Sequence, residues 1–190
     1  FINCFEDTDF QPNFDGVDES TWAKCELLYI CTPGNPSGAV ITLDVMKHLI
    51  QLSDEHDFVI ISDECYSEIY HTEASPPPSV LEACDSLNRS NCKNCLVFNS
   101  LSKRSNLPGL RSGFVAGDPE LIEKFLLYRT YHGSAMPLHH QFISELAWAD
   151  EDHVKQMLID GRLAGAAFDV FGQEPPDDYE LLKLPNFIVT

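Results

Sequence analysis

Several polar residues follow short apolar segments of the chain, and their types could do chemistry. The segment at 95–99 leads into Ser100, Ser102 and Lys103. A lysine just after the end of an apolar strand can be desolvated, which lowers its pKa and makes the amine nucleophilic. The hydroxyls suit a phosphate, and Arg111 could bind phosphate through its forked guanidinium. The alternative is a solvated basic loop, although the whole chain has only 12 lysines and arginines.

An acidic residue follows another apolar segment, at 58–62. Asp63 stands directly after this segment, where a carboxylate is costly unless it has a partner. The N–H of a protonated pyridine would be such a partner. Tyr66 comes shortly afterwards and could donate to an oxygen on the same ring. The alternative for Asp63 is helix capping, a common role for aspartate.

The loop after the segment at 27–31 holds an amide side chain. Asn35 stands at 32–38 among two prolines and two glycines, which favour a tight loop. A plain turn is the alternative. Together, the three loops provide an amine nucleophile, an acid for a ring nitrogen, donors for a ring oxygen and groups for a phosphate. This set matches pyridoxal phosphate (PLP), whose protonated ring acts as an electron sink.

The elements that must position these residues alternate between apolar strands and helical patterns. This alternation predicts an α/β fold with three layers, in which helices cover both faces of a parallel sheet. Such sheets bind ligands beyond the carboxyl ends of their strands. Strands are predicted at 27–31, 58–62, 95–99 and 112–116. Helices are predicted at 43–55 (capped by Thr42, with Met46, Leu49, Ile50 and Ser53 on one face), 79–87, from Asp118-Pro119-Glu120 to Tyr128, and from Pro137 to Trp148.

Composition limits the class of protein. The chain is 44% apolar and 11% aromatic, which is typical of a globular protein, and its apolar runs are too short to span a bilayer. The net charge of −18 opposes binding to nucleic acid or an anionic membrane. Seven cysteines without a signal peptide indicate reduced thiols and a cytoplasmic protein. Cys92 and Cys95 have the spacing of a zinc half-site or redox pair, but structural thiols are favoured.

Residues 1 to about 154 resemble the fold-type-I PLP-dependent aminotransferases, in particular the succinyldiaminopimelate transaminase branch of bacterial lysine synthesis. The resemblance implies that this part belongs to the large domain of such a transferase. The matching stretches are YICTPGNPSG at 29–38, SDECY at 62–66, SLSKRSNLPGLRSG at 100–113 and RTYHG at 129–133.

The resemblance also implies a role for each site residue. Lys103 would be the Schiff-base lysine and would carry the proton between substrate and cofactor. Asp63 would pair with the pyridine nitrogen, and Asn35 and Tyr66 would hydrogen-bond the ring hydroxyl oxygen. The groups that would hold the phosphate are Ser100, Ser102 and Arg111.

The resemblance covers only part of the family's length. The amino-terminal portion that supplies a phosphate loop and a stacking aromatic residue has no counterpart here, nor has the carboxyl-terminal domain with its substrate-binding arginine. Weak PLP binding and little transamination are therefore expected. The partners implied are an amino acid donor such as glutamate, a 2-oxo acid of the succinylated amino-keto type, and a second copy of the chain in a homodimer. The chain also starts without methionine, which indicates a fragment or a processed product.

Residues 155–190 resemble a different family, the NAD-dependent D-2-hydroxyacid dehydrogenases. The matching stretches are GRLAGAAFDV at 161–170 and EPP at 174–176. Asp169 would lie beside a nicotinamide and Glu174 would orient a catalytic histidine. No G-x-G-x-x-G dinucleotide motif occurs, so structural roles are favoured for both.

The chain is therefore interpreted as a chimera joined near residue 154. Its two parts are an aminotransferase domain at 1–154 and a short helix–strand–turn–strand tail at 155–190, and no metal site is expected. The strands of the tail are expected to extend an open edge of the main sheet. A dehydrogenase fragment and a non-catalytic chimeric fold remain alternatives.

Overall fold

Apolar strands and capped helices alternate along the chain, as the sequence predicts. The computed structural model describes residues 1–70, 75–133 and 135–149, together with the backbone of two short strands near the carboxyl end. The strands are β1 (Leu27–Cys31), β2 (Val59–Asp63), β3 (Cys95–Ser100), β4 (Gly113–Gly117), β5 (Ala166–Phe168) and β6 (Phe187–Val189). The helices are α1 (Glu19–Trp22), α2 (Leu43–His56), α3 (Val80–Ser86), α4 (Leu101–Arg104), α5 (Pro119–His132) and α6 (Leu138–Ala149), with 3₁₀ turns at Glu6–Thr8 and Pro108–Leu110.

The main sheet has four strands in the order β1-β2-β3-β4. The first three are parallel, as predicted, but β4 runs antiparallel to β3. The prediction of a wholly parallel sheet is therefore wrong for the last strand. The connection at 101–112 explains the difference, because it contains only the single turn α4 and one 3₁₀ turn. A parallel return usually passes through an α-helix that runs back along the sheet, and neither of these turns is long enough to do so.

One face of the sheet is covered by α2 and α3. The hydroxyl of Thr42 accepts a hydrogen bond from Val45 N at 3.4 Å and caps α2 as predicted. The residues of α2 that the sequence placed on one face are all buried: Met46, Leu49, Ile50 and Ser53. Met46, Leu49 and Ile50 pack with residues of β1, β2, β3 and α3 in one core. The stacked rings of Trp22 and Phe58, with centroids 5.4 Å apart, extend this core.

The opposite face of the sheet packs against α5. Val97 belongs to the α2–α3 core, so its neighbour Phe98 points to the other face. There the ring of Phe98 meets that of Phe125 from α5 edge-on, with centroids 5.9 Å apart. Asp118 caps α5 as predicted, accepting hydrogen bonds from the backbone N–H of Glu120 and Leu121. Helices on both faces of the sheet are therefore confirmed.

The short strands near the carboxyl end form a unit of their own. Strands β5 and β6 pair in parallel in a two-stranded sheet that is separate from the four-stranded sheet. The expectation that the tail would extend the main sheet is wrong for these strands, because neither of them pairs with a strand of the main sheet. The helix predicted at the start of the tail, Asp169 and Glu174 lie outside the described residues. Among the described helices, none has the length and apolar character needed to span a membrane.

Candidate cofactor site

Three polar loops meet at one edge of the main sheet. Strands β1, β2 and β3 run parallel, so their carboxyl ends lie at the same edge. Cys31 at the end of β1 is paired with Asp63 at the end of β2, and Asp63 is paired with Phe98 of β3. The segments that follow are the loop at 32–38, the turn at 64–68 and the short helix α4. All the candidate residues except Arg111 lie in these segments or at these strand ends.

Asn35 and Tyr66, the two residues predicted to hydrogen-bond the ring oxygen, are in contact. The side-chain amide of Asn35 donates to the phenol oxygen of Tyr66 at 3.1 Å. Thr32, which is completely buried, holds the first loop because its hydroxyl accepts from Ile41 N at 3.0 Å. A backbone bond from Gly38 N to the carbonyl at position 34, 2.7 Å long, closes the same loop. The structure therefore brings Asn35 and Tyr66 together.

The carboxylate of Asp63 is held from two sides. Its Oδ1 accepts from Cys65 N at 3.2 Å, and its Oδ2 accepts from the phenol of Tyr29 at 3.2 Å. Residues 65–68 form a turn, so Asp63 begins a turn and the alternative interpretation as a helix cap is wrong. Burial, followed by the hydrogen bond to Asp63 and its charge, raises the pKa of the Cys65 thiol to about 12. Cys65 is therefore a neutral thiol beside the carboxylate.

Sequence reasoning missed Tyr29. The sequence holds only part of the signal, because Tyr29 and Cys31 stand two positions apart and therefore project from the same side of β1. The rest is the pairing of Cys31 with Asp63. That pairing, however, depends on the register between β1 and β2. The sequence alone does not specify this register, because both strands are short apolar runs.

Glu64 is a second residue that sequence reasoning missed. It is only 3% exposed, and its Oε1 accepts from the Ser62 hydroxyl and from Val80 N, each at 2.9 Å. Burial raises the pKa of this carboxyl, while the hydrogen bonds from Val80, Ser79 and Ser62 oppose the rise. Because Val80 is the first residue of α3, Glu64 ties the end of β2 to that helix. Its role is to support the loop that carries Tyr66.

Lys103 lies in α4 and reaches the aromatic ring of Tyr66. Its Nζ is 5.5 Å from the ring centroid. The structure does not give Lys103 the desolvated surroundings that the sequence predicts, because the residue is exposed. The helix itself is anchored, since Leu101 is completely buried. Arg104 fixes its other end by donating to Ala147 O at 2.8 Å. Lys103 therefore lies at the edge of the sheet where the site was predicted, but no described residue covers it.

The two predicted phosphate-binding hydroxyls are adjacent. Ser100 Oγ lies 2.8 Å from Ser102 Oγ and accepts from Ser102 N at 3.0 Å, which caps α4. Arg111, the third residue predicted to bind the phosphate, lies between the second 3₁₀ turn and β4. It follows the 3₁₀ turn with a left-handed φ of 52°, and its Nη1 donates to Pro108 O at 2.9 Å. The left-handed backbone of Arg111 lies in the short connection where the chain reverses direction between β3 and the antiparallel β4.

The groups at this edge fit PLP in their chemistry. The amine of Lys103 lies beside a phenol that is already hydrogen-bonded to an amide. The carboxylate of Asp63 is a partner for a protonated ring nitrogen. The adjacent hydroxyls of Ser100 and Ser102 could donate hydrogen bonds to a phosphate ester. Lys103 and Arg111 concentrate positive charge here in a chain with a net charge of −18.

The sequence profile of aminotransferase class I and II matches residues 1–158. The chain belongs to this family. Its relatives are PLP-dependent enzymes, which confirms the cofactor class predicted from the sequence. A second profile, that of the NAD binding domain of D-isomer specific 2-hydroxyacid dehydrogenases, matches residues 146–190. The resemblance of the two parts of the chain to two families is therefore confirmed.

Individual relatives share this part of the fold. An LL-diaminopimelate aminotransferase of Nitratidesulfovibrio vulgaris strain DP4 is 32% identical over 122 residues, covering 64% of this chain and 30% of that protein. The crystal structure of an aminotransferase from Neisseria meningitidis is 51% identical with a TM-score of 0.72, over 81% of this chain and 38% of that one. A probable N-succinyldiaminopimelate aminotransferase from Thermus thermophilus is 28% identical with a TM-score of 0.53, over 60% and 29%. The chain thus spans about 30% of the length of the first curated relative.

Proposed function

We propose that residues 1–154 supply the PLP-binding part of a transaminase, which moves an amino group between an amino acid and a 2-oxo acid. The arrangement of Asn35, Tyr66 and Lys103 is the observation that carries this proposal. The amide–phenol bond is 3.1 Å long and the amine lies 5.5 Å from the same phenol ring. These residues come from the loop after β1, the turn after β2 and the helix α4 after β3, so their convergence is a property of the fold.

Each residue has a role that its position supports. Lys103 would attach the cofactor and carry a proton to and from the substrate carbon, since an amine can do both. Asn35 and Tyr66 would hold the ring oxygen through hydrogen bonds. Asp63 would keep the ring nitrogen protonated, so that the bound cofactor can draw electrons from the substrate. Phosphate would be held by Ser100 and Ser102.

Arg111 would complete the phosphate site only after a change of partner. Its guanidinium now donates to Pro108 O at 2.9 Å, and the residue is exposed. A phosphate would offer a charged acceptor in place of a neutral carbonyl, and it could accept two parallel hydrogen bonds from the guanidinium. Rotation of the long side chain would therefore be favourable.

The substrates we propose are an amino donor such as glutamate and a succinylated amino-keto acid, as for a succinyldiaminopimelate transaminase. The diaminopimelate-type aminotransferases of N. vulgaris and T. thermophilus that the chain resembles support a role in lysine biosynthesis. We further propose that PLP binding is weak and turnover poor, because Lys103 is exposed. Mixing the chain with glutamate, PLP and a 2-oxo acid should give less than one turnover of product per chain.

Borohydride trapping tests the site directly. The chain is incubated with PLP, reduced and digested, and the modified lysine is located by mass spectrometry. Modification should concentrate on Lys103. Lys103→Arg keeps the positive charge near Tyr66 but cannot form the covalent link, so it should lose the label. Lys124→Arg, on the exposed side of α5, is the matched control and should keep it. Equal labelling in both variants would remove Lys103 from the proposed role.

A dehydrogenase-derived activity is the second candidate, favoured by the profile match at 146–190. It requires binding of NADH, which calorimetry would detect as heat of binding. We expect none, because the sequence contains no G-x-G-x-x-G motif. Saturable binding would contradict this expectation and would favour the dehydrogenase origin as the functional one.

The join is proposed to lie near residue 154, between a domain at 1–154 and a tail at 155–190. The two profiles overlap at 146–158, which supports a junction in this interval. Intact mass and peptides that span residues 149–161 test whether one chain carries both parts. Gel filtration tests the proposed homodimer, and a strict monomer without PLP binding would favour a non-catalytic chimeric fold.

A further inference from the structure

A tyrosine on β1 reaches across the sheet to the carboxylate at the end of β2. The phenol of Tyr29 donates to Asp63 Oδ2 at 3.2 Å, and the two residues stand 34 positions apart. The partner of Asp63 in strand pairing is Cys31, so Tyr29 lies two residues before the paired position. Its side chain is long enough to span that offset and bring the hydroxyl to the carboxylate.

The contact lies on the side of the sheet away from the main core. Ile30, the neighbour of Tyr29, belongs to the core under α2 and α3, so Tyr29 points the other way. Tyr29 is 60% exposed. A hydrogen bond in such a place adds little to folding stability, because water competes with it. Its effect should therefore fall mainly on the orientation of the carboxylate.

Both oxygens of Asp63 then have a fixed protein donor. Oδ1 accepts from the backbone N–H of Cys65 at 3.2 Å, and Oδ2 accepts from Tyr29 at 3.2 Å. A carboxylate held at both oxygens cannot rotate freely about its last bond. Each oxygen has more than one acceptor position, so one more donor can still be accepted.

We propose that Tyr29 is a positioning residue, which holds the Asp63 carboxylate in the orientation needed to keep the PLP ring nitrogen protonated. This inference rests on the proposed function of the site. It adds a residue from the body of β1 to a site otherwise built from strand ends and loops.

The electrostatics of the pair agree with a donating phenol. Burial, then the charge of Asp63 and the hydrogen bond to it, raise the pKa of Tyr29, and the nearby thiols of Cys31 and Cys65 act in the same direction. The phenol therefore keeps its proton at neutral pH and remains a donor. The Cys65 thiol, whose pKa is raised to about 12, stays neutral as well and does not compete as an anion.

The test begins with the contact itself, without PLP. The chain has 6 tyrosines, and labelling them with ¹³C at the ring carbon that bears the hydroxyl gives separate NMR titrations. Tyr29→Phe identifies the resonance of Tyr29. In Asp63→Asn the pKa of Tyr29 should fall towards its ordinary value, because the negative charge is gone. An unchanged titration would overturn the inference.

The second measurement concerns PLP bound to the same full-length chain. Tyr29→Phe should weaken PLP binding about threefold to tenfold, the range expected for loss of one hydrogen bond. With ¹⁵N-labelled PLP, the pyridine nitrogen should become less fully protonated in this variant. Tyr128→Phe is the matched control, because Tyr128 is 59% exposed and lies on α5. It should behave as the wild type does in both measurements.

The outcomes separate this inference from the proposed function. If the wild-type chain binds no PLP, the proposed function fails and the role of Tyr29 falls with it. If the wild type binds PLP and Tyr29→Phe gives the same affinity and nitrogen signal, only the role of Tyr29 is overturned. The melting temperature of Tyr29→Phe should stay near that of the wild type, and a large drop together with lost binding would point to a structural role instead.

Discussion

The side-chain amide of Asn35 and the phenol oxygen of Tyr66 lie 3.1 Å apart, although 31 positions separate them in the sequence. The first residue belongs to the loop after β1, and the second to the turn after β2. Parallel pairing of the two strands brings these loops to one edge of the sheet. The contact links sequence motifs that have no local connection, and it places the Lys103 amine beside the same phenol.

Removing the phenol hydroxyl tests this contact. Tyr66→Phe should weaken PLP binding about threefold to tenfold, because it deletes one hydrogen-bonding group and leaves the ring in place. Asn35→Ala should have a similar effect, and the double variant should lose less than the sum of the two. Fluorescence titration with PLP measures all three dissociation constants. Strictly additive losses would show that Asn35 and Tyr66 act independently of each other.

The left-handed backbone at Arg111 makes a second prediction possible. Its φ of 52° costs about 1 kcal/mol for a residue with a side chain and almost nothing for glycine. Arg111→Gly should therefore leave the protein as stable as the wild type or up to about 1 kcal/mol more stable, while PLP binds more weakly. Urea unfolding and PLP titration give the two numbers. Arg111→Lys is the control that keeps the charge and the backbone cost, and loss of stability in the glycine variant would contradict the prediction.

The elements around the site were largely predictable because their signals are local. The boundaries of β1 match the predicted segment at 27–31. Thr42 caps α2, and Asp118 caps α5 just before a proline. The helical periodicity of α2 identified its buried face correctly. Capping and periodicity depend on neighbours within one or two turns, so a single sequence is enough to detect them.

The features that sequence reasoning missed depend on distant partners. The direction of β4 follows from the shape of the connection at 101–112, which composition does not reveal. The contact of Tyr29 with Asp63 needs the register between β1 and β2. The exposure of Lys103 depends on what covers the end of the sheet. In each case the residue types were visible, but the geometry was set by pairing between strands.

Gly117 at the end of β4 provides a test of the antiparallel pairing. Its φ is +136°, and a Cβ at this position would collide with the backbone carbonyl of Cys95. Gly117→Ala should lower the free energy of unfolding by about 2–4 kcal/mol. Alanine is strained at this φ, and its Cβ would meet a backbone carbonyl, which cannot move aside as a flexible side chain can. Gly109→Ala is the control, since a Cβ there meets nothing within 4 Å. Chemical denaturation compares the two, and equal stabilities would contradict the close approach of β4 to β3.

The buried carboxyl of Glu64 should make stability depend on pH. Burial raises its pKa above the ordinary value of 4.5, so the folded protein binds the proton more tightly than the unfolded chain does. The stabilising effect is complete below about pH 4.5 and is lost as the pH rises through the higher folded value.

Glu64→Gln cannot titrate and keeps an oxygen that accepts from Val80 N. The difference in unfolding free energy between wild type and Glu64→Gln should therefore shift in favour of the variant as the pH rises from 4.5 towards 7. Urea titrations across this range measure the difference. Glu82→Gln, on α3 and exposed, controls for the loss of a charge. A pH-independent difference for Glu64 would mean that its carboxyl titrates in the folded protein as it does in the unfolded chain.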